Sequence, residues 1–124
     1  MKLPLGHLFV FCFLASGLLA QFTEKYRYNQ SLTYEEAITA FERLDEEYGE
    51  ISLIETNYKT DVGRNLHVVI FNNDKEFDPT EVDRTEKVVF FINNAIHPGE
   101  SCGVDATVKL FERLGRYHKL YENV

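Results

Sequence analysis

Cysteine is scarce in this chain of 124 residues, which contains only Cys12 and Cys102. Cys12 lies in an apolar N-terminal run, and removal of that run would leave Cys102 as a single thiol that cannot form an internal disulfide. The sequence therefore excludes a scaffold held together by disulfides. A catalytic Cys102 would need a nearby base and electropositive surroundings. We expect it instead to be a small buried residue near the start of a helix.

Clusters of positive charge are also missing. The chain has 13 Lys and Arg against 20 Asp and Glu, a formal net charge of -7. A surface that binds nucleic acid needs clustered Lys and Arg, so nucleic acid is not an expected partner. Low-complexity tracts and internal repeats are absent too, and 44% hydrophobic residues suffice for a folded core.

Polar side chains are nearly absent from residues 3–20, which follow the positive charge of Lys2. This pattern is typical of a secretory signal peptide, predicted over residues 1–20 with cleavage after Ala20, or alternatively after Gly17. An uncleaved anchor is the other interpretation, since about 18 apolar residues can just span a bilayer. The single flanking charge and the interrupting glycines favour the signal peptide. We expect a secreted or periplasmic protein without stable membrane association after cleavage.

Two helices are predicted after a polar lead-in over residues 21–30. The first opens with a capping box at Thr33 and Glu36 and ends at Gly49. The second begins near Pro98, since proline is tolerated in a first helical turn, and fades by His118. Each carries an apolar face at three- to four-residue spacing. The faces comprise Ala37, Phe41, Leu44 and Tyr48 in the first helix, and Val104, Val108, Phe111 and Leu114 in the second.

Three β-prone segments lie between the two helices. Residues 51–58 and 66–71 flank a turn at Gly63 and predict a hairpin or neighbouring strands. Residues 88–92 are continuously apolar, which predicts a strand buried on both faces in the middle of an α/β sheet. Ligand sites in such sheets form beyond the carboxyl ends of the strands.

His97 and Glu100 follow that predicted central strand. Imidazole and carboxylate both suit zinc, and a catalytic zinc typically takes three protein ligands plus water. Residues three apart at the start of a helix share a face, so the two side chains can converge. The pair alone is a weak signal, because chance often produces such a spacing in a chain of this composition. His97 as an N-cap and Glu100 as a first-turn carboxylate is the alternative interpretation.

The surroundings of the pair are more specific. Residues 88–106, VVFFINNAIHPGESCGVDA, resemble the zinc carboxypeptidase segment in which a buried strand delivers a His-x-x-Glu pair. Residues 32–36, LTYEE, followed by Tyr48-Gly49, are similar to that family's opening helix. Residues 62–66, VGRNL, resemble its glycine-arginine turn before the second strand. The three segments occur in the family's order across most of residues 31–115.

The resemblance implies that residues 31–124 are the N-terminal portion of a zinc carboxypeptidase-like catalytic domain. The implied fold is three-layer α/β/α around a mixed, mostly parallel-centred sheet, here incomplete. His97 and Glu100 match the first two ligands of one Zn²⁺ per complete domain. The family's third ligand, general-base glutamate and substrate-binding arginines lie further along. The implied activity is hydrolysis of C-terminal bonds in peptide or protein substrates, with the 124-residue chain alone expected to be inactive.

Two other functions stay open. One is a zinc-dependent hydrolase of the same superfamily that acts on cell-wall peptides or N-acyl amino acids. The other is a non-catalytic secreted binding module, because a fold does not fix a function. Gly99 replaces the basic residue that digestive-type members place before the glutamate, a departure that resembles bacterial members.

Local histidines and Arg64 do not complete the predicted site. His118 would lie about 27 Å from Glu100 along a continuous helix, and His67 is expected to be a core or surface residue of a strand. Arg64 is expected to have a structural role in its turn. Because the predicted strands cover only part of the segment 88–92, we also expect an exposed apolar edge and face.

Overall fold

The computed structural model describes residues 28, 30–82, 87–97 and 99–121; the predicted signal peptide lies outside them. The elements are helix α1, strands β1 and β2, helix α2 and a 3₁₀ turn. Their bounds are Tyr34–Glu47, Ile51–Lys59, Asn65–Phe71, Cys102–Arg116 and His118–Leu120. The two strands form one antiparallel sheet. None of the described helices has the length and apolar character needed to cross a bilayer.

Helix α1 begins and ends as the sequence predicts. The Thr33 hydroxyl accepts a hydrogen bond from the Glu36 amide, and the Glu36 carboxylate accepts one from the Thr33 amide at 2.9 Å. This confirms the capping box. Tyr48 caps the other end just before Gly49. The predicted apolar face is confirmed, with three of its residues buried and Tyr48 half-buried.

The predicted hairpin is also confirmed. Ile51 pairs with Phe71 and Leu53 with Val69, with a register irregularity between Glu55 and Lys59. The turn closes through hydrogen bonds from the Thr60 amide to the Arg64 carbonyl and from the Gly63 amide to the Thr60 carbonyl, both 2.8 Å. Gly63 has a φ of +81°, a conformation that side chains disfavour and glycine permits.

Both helices pack on one face of the hairpin. Ile51, 1% exposed, lies at the centre of the core, and the Phe41 and Phe111 rings meet edge to face at 5.8 Å. Asp105, buried on α2, accepts a hydrogen bond from the Leu32 amide at 3.0 Å. The core contains Ala40, Phe41, Leu44, Ile51, Val108 and Phe111, with Leu53, Val69 and Phe71 packed against it. The described chain is thus a two-layer, mixed α/β arrangement.

Residues 88–92 depart from the prediction of a doubly buried strand. They join no ladder with any described strand, and Phe90 and Phe91 are 74% and 88% exposed. The prediction of a buried strand is therefore wrong for the described chain, because burial on both faces requires neighbours that the hairpin and two helices do not supply. The expected exposed apolar edge is confirmed. The described residues show neither the parallel pairing nor the third layer of the expected fold.

The start of α2 also differs from the prediction. The helix begins at Cys102, after the N-cap Ser101, instead of near Pro98. Gly99 has a φ of +86°, and this left-handed conformation cannot belong to a right-handed helix. Cys102 is near the helix start as expected, but it is exposed, so the prediction that it is buried is wrong.

Candidate metal centre

His97 and Glu100 lie in the loop between the apolar residues 88–92 and α2. The Glu100 amide donates to the His97 carbonyl at 3.3 Å, and the positive φ of Gly99 lets the chain turn back on itself. As a result, His97 Nδ1 lies 3.1 Å from Glu100 Oε2. The sequence correctly predicts that the two side chains converge. A tight turn brings them together, whereas the prediction relied on a shared helix face.

His97 Nδ1 and Glu100 Oε2 form a hydrogen bond with each other at 3.1 Å. A metal ion would take the place of that contact, since an imidazole nitrogen and a carboxylate oxygen are both zinc ligands. The His97 and Glu100 side chains are 74% and 64% exposed. Both groups are therefore open to solvent. An ion pair this exposed contributes little to stability.

A third ligand is not supplied by the described residues. Among them, no group of three or more His, Cys, Asp or Glu side chains is arranged to hold a metal ion. A two-ligand site of this kind can bind zinc only weakly unless further donors complete it.

The other two described histidines have different partners. His67 Nδ1 lies 3.2 Å from the Tyr34 hydroxyl, and its Nε2 lies 3.5 Å from a Glu55 carboxylate oxygen. His118 follows the far end of α2, a helix of 15 residues that spans about 22 Å, and its Nδ1 lies 2.9 Å from the Gly115 carbonyl oxygen. Both histidines are thus engaged away from Glu100.

Arg64 connects the hairpin turn to α1. Its guanidinium lies 4.7 Å from the centre of the Tyr34 ring, and Nη2 lies 3.3 Å from a Glu35 carboxylate oxygen. These contacts support the structural role expected from its place in the turn.

Asn94 positions the segment before His97, a role that the sequence did not indicate. Its Nδ2 donates to the Thr107 hydroxyl at 2.6 Å, and that hydroxyl donates to the Gly103 carbonyl at 2.9 Å. A Cβ atom at position 103 would lie 2.5 Å from Asn94 Oδ1 and 3.1 Å from its Cγ, so a side chain there would displace the Asn94 amide. Asn94 contacts the first turns of α2 because of the loop conformation. No local sequence pattern predicts this contact.

Comparison with protein-family models, with curated proteins and with solved structures found no match. The function of the chain must therefore be argued from the His97–Glu100 pair and its surroundings. That pair can offer one imidazole nitrogen and one carboxylate oxygen to a divalent cation, in an exposed loop before a helix.

Proposed function

We propose that this chain is part of a secreted zinc metallocarboxypeptidase, with residues 31–124 forming the N-terminal portion of a three-layer α/β/α catalytic domain. His97 and Glu100 are two of the three protein ligands of its zinc ion. The observation that supports this most is the convergence of His97 and Glu100, two residue types that bind zinc, which form a 3.1 Å hydrogen bond in an exposed loop.

Zinc in such a site would polarise a scissile carbonyl and lower the pKa of a bound water. The contribution of this chain is to hold the ion. The turn at Gly99 fixes the spacing of the two donors, and the contact of Asn94 with Thr107 anchors the segment that carries His97. A third ligand, a general base and arginines for the substrate carboxylate match no residue here, so we propose that the 124-residue chain alone is inactive.

A non-catalytic secreted binding module is the second candidate function. It stays open because a fold does not fix a function. A zinc hydrolase acting on cell-wall peptides or N-acyl amino acids would share the His97–Glu100 pair, and differs from the proposed peptidase only in substrate.

Zinc titration against a chromophoric chelator tests the site. We expect one weakly bound Zn²⁺ per chain, with binding lost in both His97→Ala and Glu100→Gln because each removes one of only two donors. Glu42→Gln, which removes an exposed carboxylate of α1, is the matched control and should bind as the parent does. Unchanged zinc binding in His97→Ala would exclude the proposed site.

Activity separates the proposed peptidase from the binding module. A transcript that continues beyond the codon for Val124 and supplies a later histidine, arginines and a glutamate should encode zinc-dependent carboxypeptidase activity that His97→Ala abolishes. A stop codon at that point would favour the binding module.

A further inference from the structure

His67 lies where α1 and both strands of the hairpin meet. It faces Glu55 across the strands, at the point where regular pairing stops before an irregularity that ends at Lys59. The hydroxyl of Tyr34, the first residue of α1, lies 2.9 Å from the Asn65 carbonyl oxygen and 3.2 Å from His67 Nδ1. The imidazole is only 13% exposed. One hydroxyl therefore contacts both the backbone of β2 and a ring nitrogen of the same strand.

The partners of the two ring nitrogens of His67 indicate where its hydrogens lie. The Tyr34 hydroxyl has one hydrogen and donates it to the Asn65 carbonyl, which can only accept. The contact with His67 Nδ1 then requires a hydrogen on Nδ1 and the hydroxyl oxygen as acceptor. Across the ring, Nε2 lies 3.5 Å from Glu55 Oε2, and a carboxylate also only accepts. Because a neutral imidazole carries one hydrogen, these contacts together fit the charged form of His67.

A neutral His67 requires a different arrangement of hydrogens. A single hydrogen on Nδ1 would turn the lone pair of Nε2 toward the Glu55 carboxylate, which is repulsive. A single hydrogen on Nε2 keeps the contact with Glu55 and makes Nδ1 an acceptor. The Tyr34 hydroxyl then donates to Nδ1, and it can no longer donate to the Asn65 carbonyl. Loss of one proton by His67 thus moves the hydrogen bond of Tyr34 from the backbone of β2 to the imidazole.

The other charged groups at this junction come from β1, α1 and the hairpin turn. Glu55 is held beside the ring because its Oε1 accepts a hydrogen bond from Asn65 Nδ2 at 2.6 Å. The Arg64 guanidinium lies over the tyrosine ring and 3.3 Å from a Glu35 carboxylate oxygen. Carboxylates and guanidinium groups ordinarily keep their charge between about pH 5 and pH 8, whereas imidazole changes its charge there. His67 is therefore the member of the junction that responds to pH.

We propose that His67 is a pH-sensitive switch that directs the Tyr34 hydroxyl to the Asn65 carbonyl when charged and to its own Nδ1 when neutral. Asn65 begins β2 directly after the hairpin turn. Helix α1 therefore holds the backbone beside the turn in the charged state and releases it in the neutral state, so the turn opens more readily at higher pH. This inference rests on contacts of α1 with the hairpin, independently of the proposed zinc site.

Nuclear magnetic resonance of the whole chain at about pH 5 and pH 8 tests the switch. Ring ¹⁵N shifts of His67 should show hydrogens on both nitrogens at the lower pH and on Nε2 alone at the higher. The carbonyl ¹³C shift of Asn65 should move upfield as pH rises, because its hydrogen bond is lost. Tyr34→Phe removes the hydroxyl and should abolish this movement, whereas Tyr58→Phe, at an exposed tyrosine of β1, should retain it. A neutral His67 with its hydrogen on Nδ1, or an unmoved Asn65 carbonyl in the parent, would overturn the proposal.

Amide hydrogen exchange of the parent tests the release of the turn and does not depend on how well Tyr34→Phe folds. The amides of Thr60 and Gly63 close the turn through hydrogen bonds. Their protection, corrected for the intrinsic effect of pH on exchange, should fall by roughly 5-fold from the lower to the higher pH, as expected for the loss of one hydrogen bond. The Ile51 amide, bonded at the other end of the hairpin, should keep its protection. Equal protection of the turn at both pH values would contradict the proposal.

Discussion

At the residue scale, Gly115 sets how closely α2 approaches the end of α1. It is buried in the last turn of α2, and a Cβ atom built there would lie 2.5 Å from Cγ of the Tyr48 ring. Real Cβ contacts are never this short, so a side chain at position 115 would push the ring or the helix away. Glycine at position 115 permits the close approach of α2 to the Tyr48 ring, although glycine is a weak helix former.

Gly115→Ala should therefore destabilise the protein. Overpacking costs about 1–3 kcal/mol, which exceeds the gain of about 1 kcal/mol from replacing glycine in a helix. Urea denaturation followed by circular dichroism measures the difference. In a Tyr48→Ala background the obstructing ring is gone, and the same substitution should become neutral or stabilising. A destabilisation of equal size in both backgrounds would show that Tyr48 is not the cause.

Residue-scale prediction from sequence succeeds where the partner is close along the chain. Thr33 and Glu36 are three residues apart, and so are His97 and Glu100, and both contacts are present. Asp105 is different, because its partner Leu32 lies 73 residues away. Nothing in the helix around Asp105 indicates that its carboxylate is buried, since that depends on where a distant amide is placed.

At the scale of elements, a buried carboxylate joins three parts of the chain. Glu50, just before β1, lies 3.1 Å from Lys75 Nζ in the loop after β2 and 3.9 Å from His118 Nε2 in the 3₁₀ turn. Burial opposes the charged form of Glu50. The hydrogen bond from Lys75, a backbone hydrogen bond and the nearby positive groups outweigh burial, and hold the pKa of Glu50 below its ordinary value of 4.5.

The lowered pKa of Glu50 makes the folding stability of the protein sensitive to acid. A carboxyl that binds its proton less readily when folded contributes stability above its unfolded pKa, and the contribution is lost as pH falls through the folded pKa. The free energy of unfolding should therefore decrease as pH falls below about 4.5. Glu50→Gln should flatten this part of the profile in urea denaturation between pH 6 and pH 3. A parallel profile for parent and variant would assign the acid sensitivity to other carboxylates.

Prediction of the elements from sequence was accurate where local chemistry sets the boundary. The capping box and the turn at Gly63 are local signals, and α1 and the hairpin lie where they indicate. The start of α2 was predicted too early, because Gly99 adopts a positive φ that the proline-based argument could not foresee. Residues 88–92 have the composition of a central strand, but burial requires neighbouring strands, and composition cannot supply them.

At the scale of the whole molecule, the two helices cover one face of the hairpin only. Ile54 and Val68, which pair across the strands on the other face, are both exposed. The α/β class was predictable from the order of helices and strands. The number of layers was not predictable, since it depends on which surfaces of the helices and strands pack against one another.

The long-range tie between Leu32 and Asp105 has a consequence for the order of folding. The hairpin residues Ile51 and Phe71 are 20 positions apart, whereas the hydrogen bond between Leu32 and Asp105 closes a loop of 73 residues. Longer loops cost more entropy to close. We expect the hairpin to form first and α2 to dock last. Phe111→Leu should then mainly accelerate unfolding, while Val69→Ala should mainly slow folding.

Stopped-flow tyrosine fluorescence can resolve the two rates, since the chain has seven tyrosines and no tryptophan. Equal slowing of folding by both substitutions would show that α2 docks early. If the expected order holds, the last contact to form is the first to be lost. Helix α2 would then detach and re-dock while the hairpin stays folded. The His97–Glu100 contact, which a local turn holds, would travel with the helix as a unit.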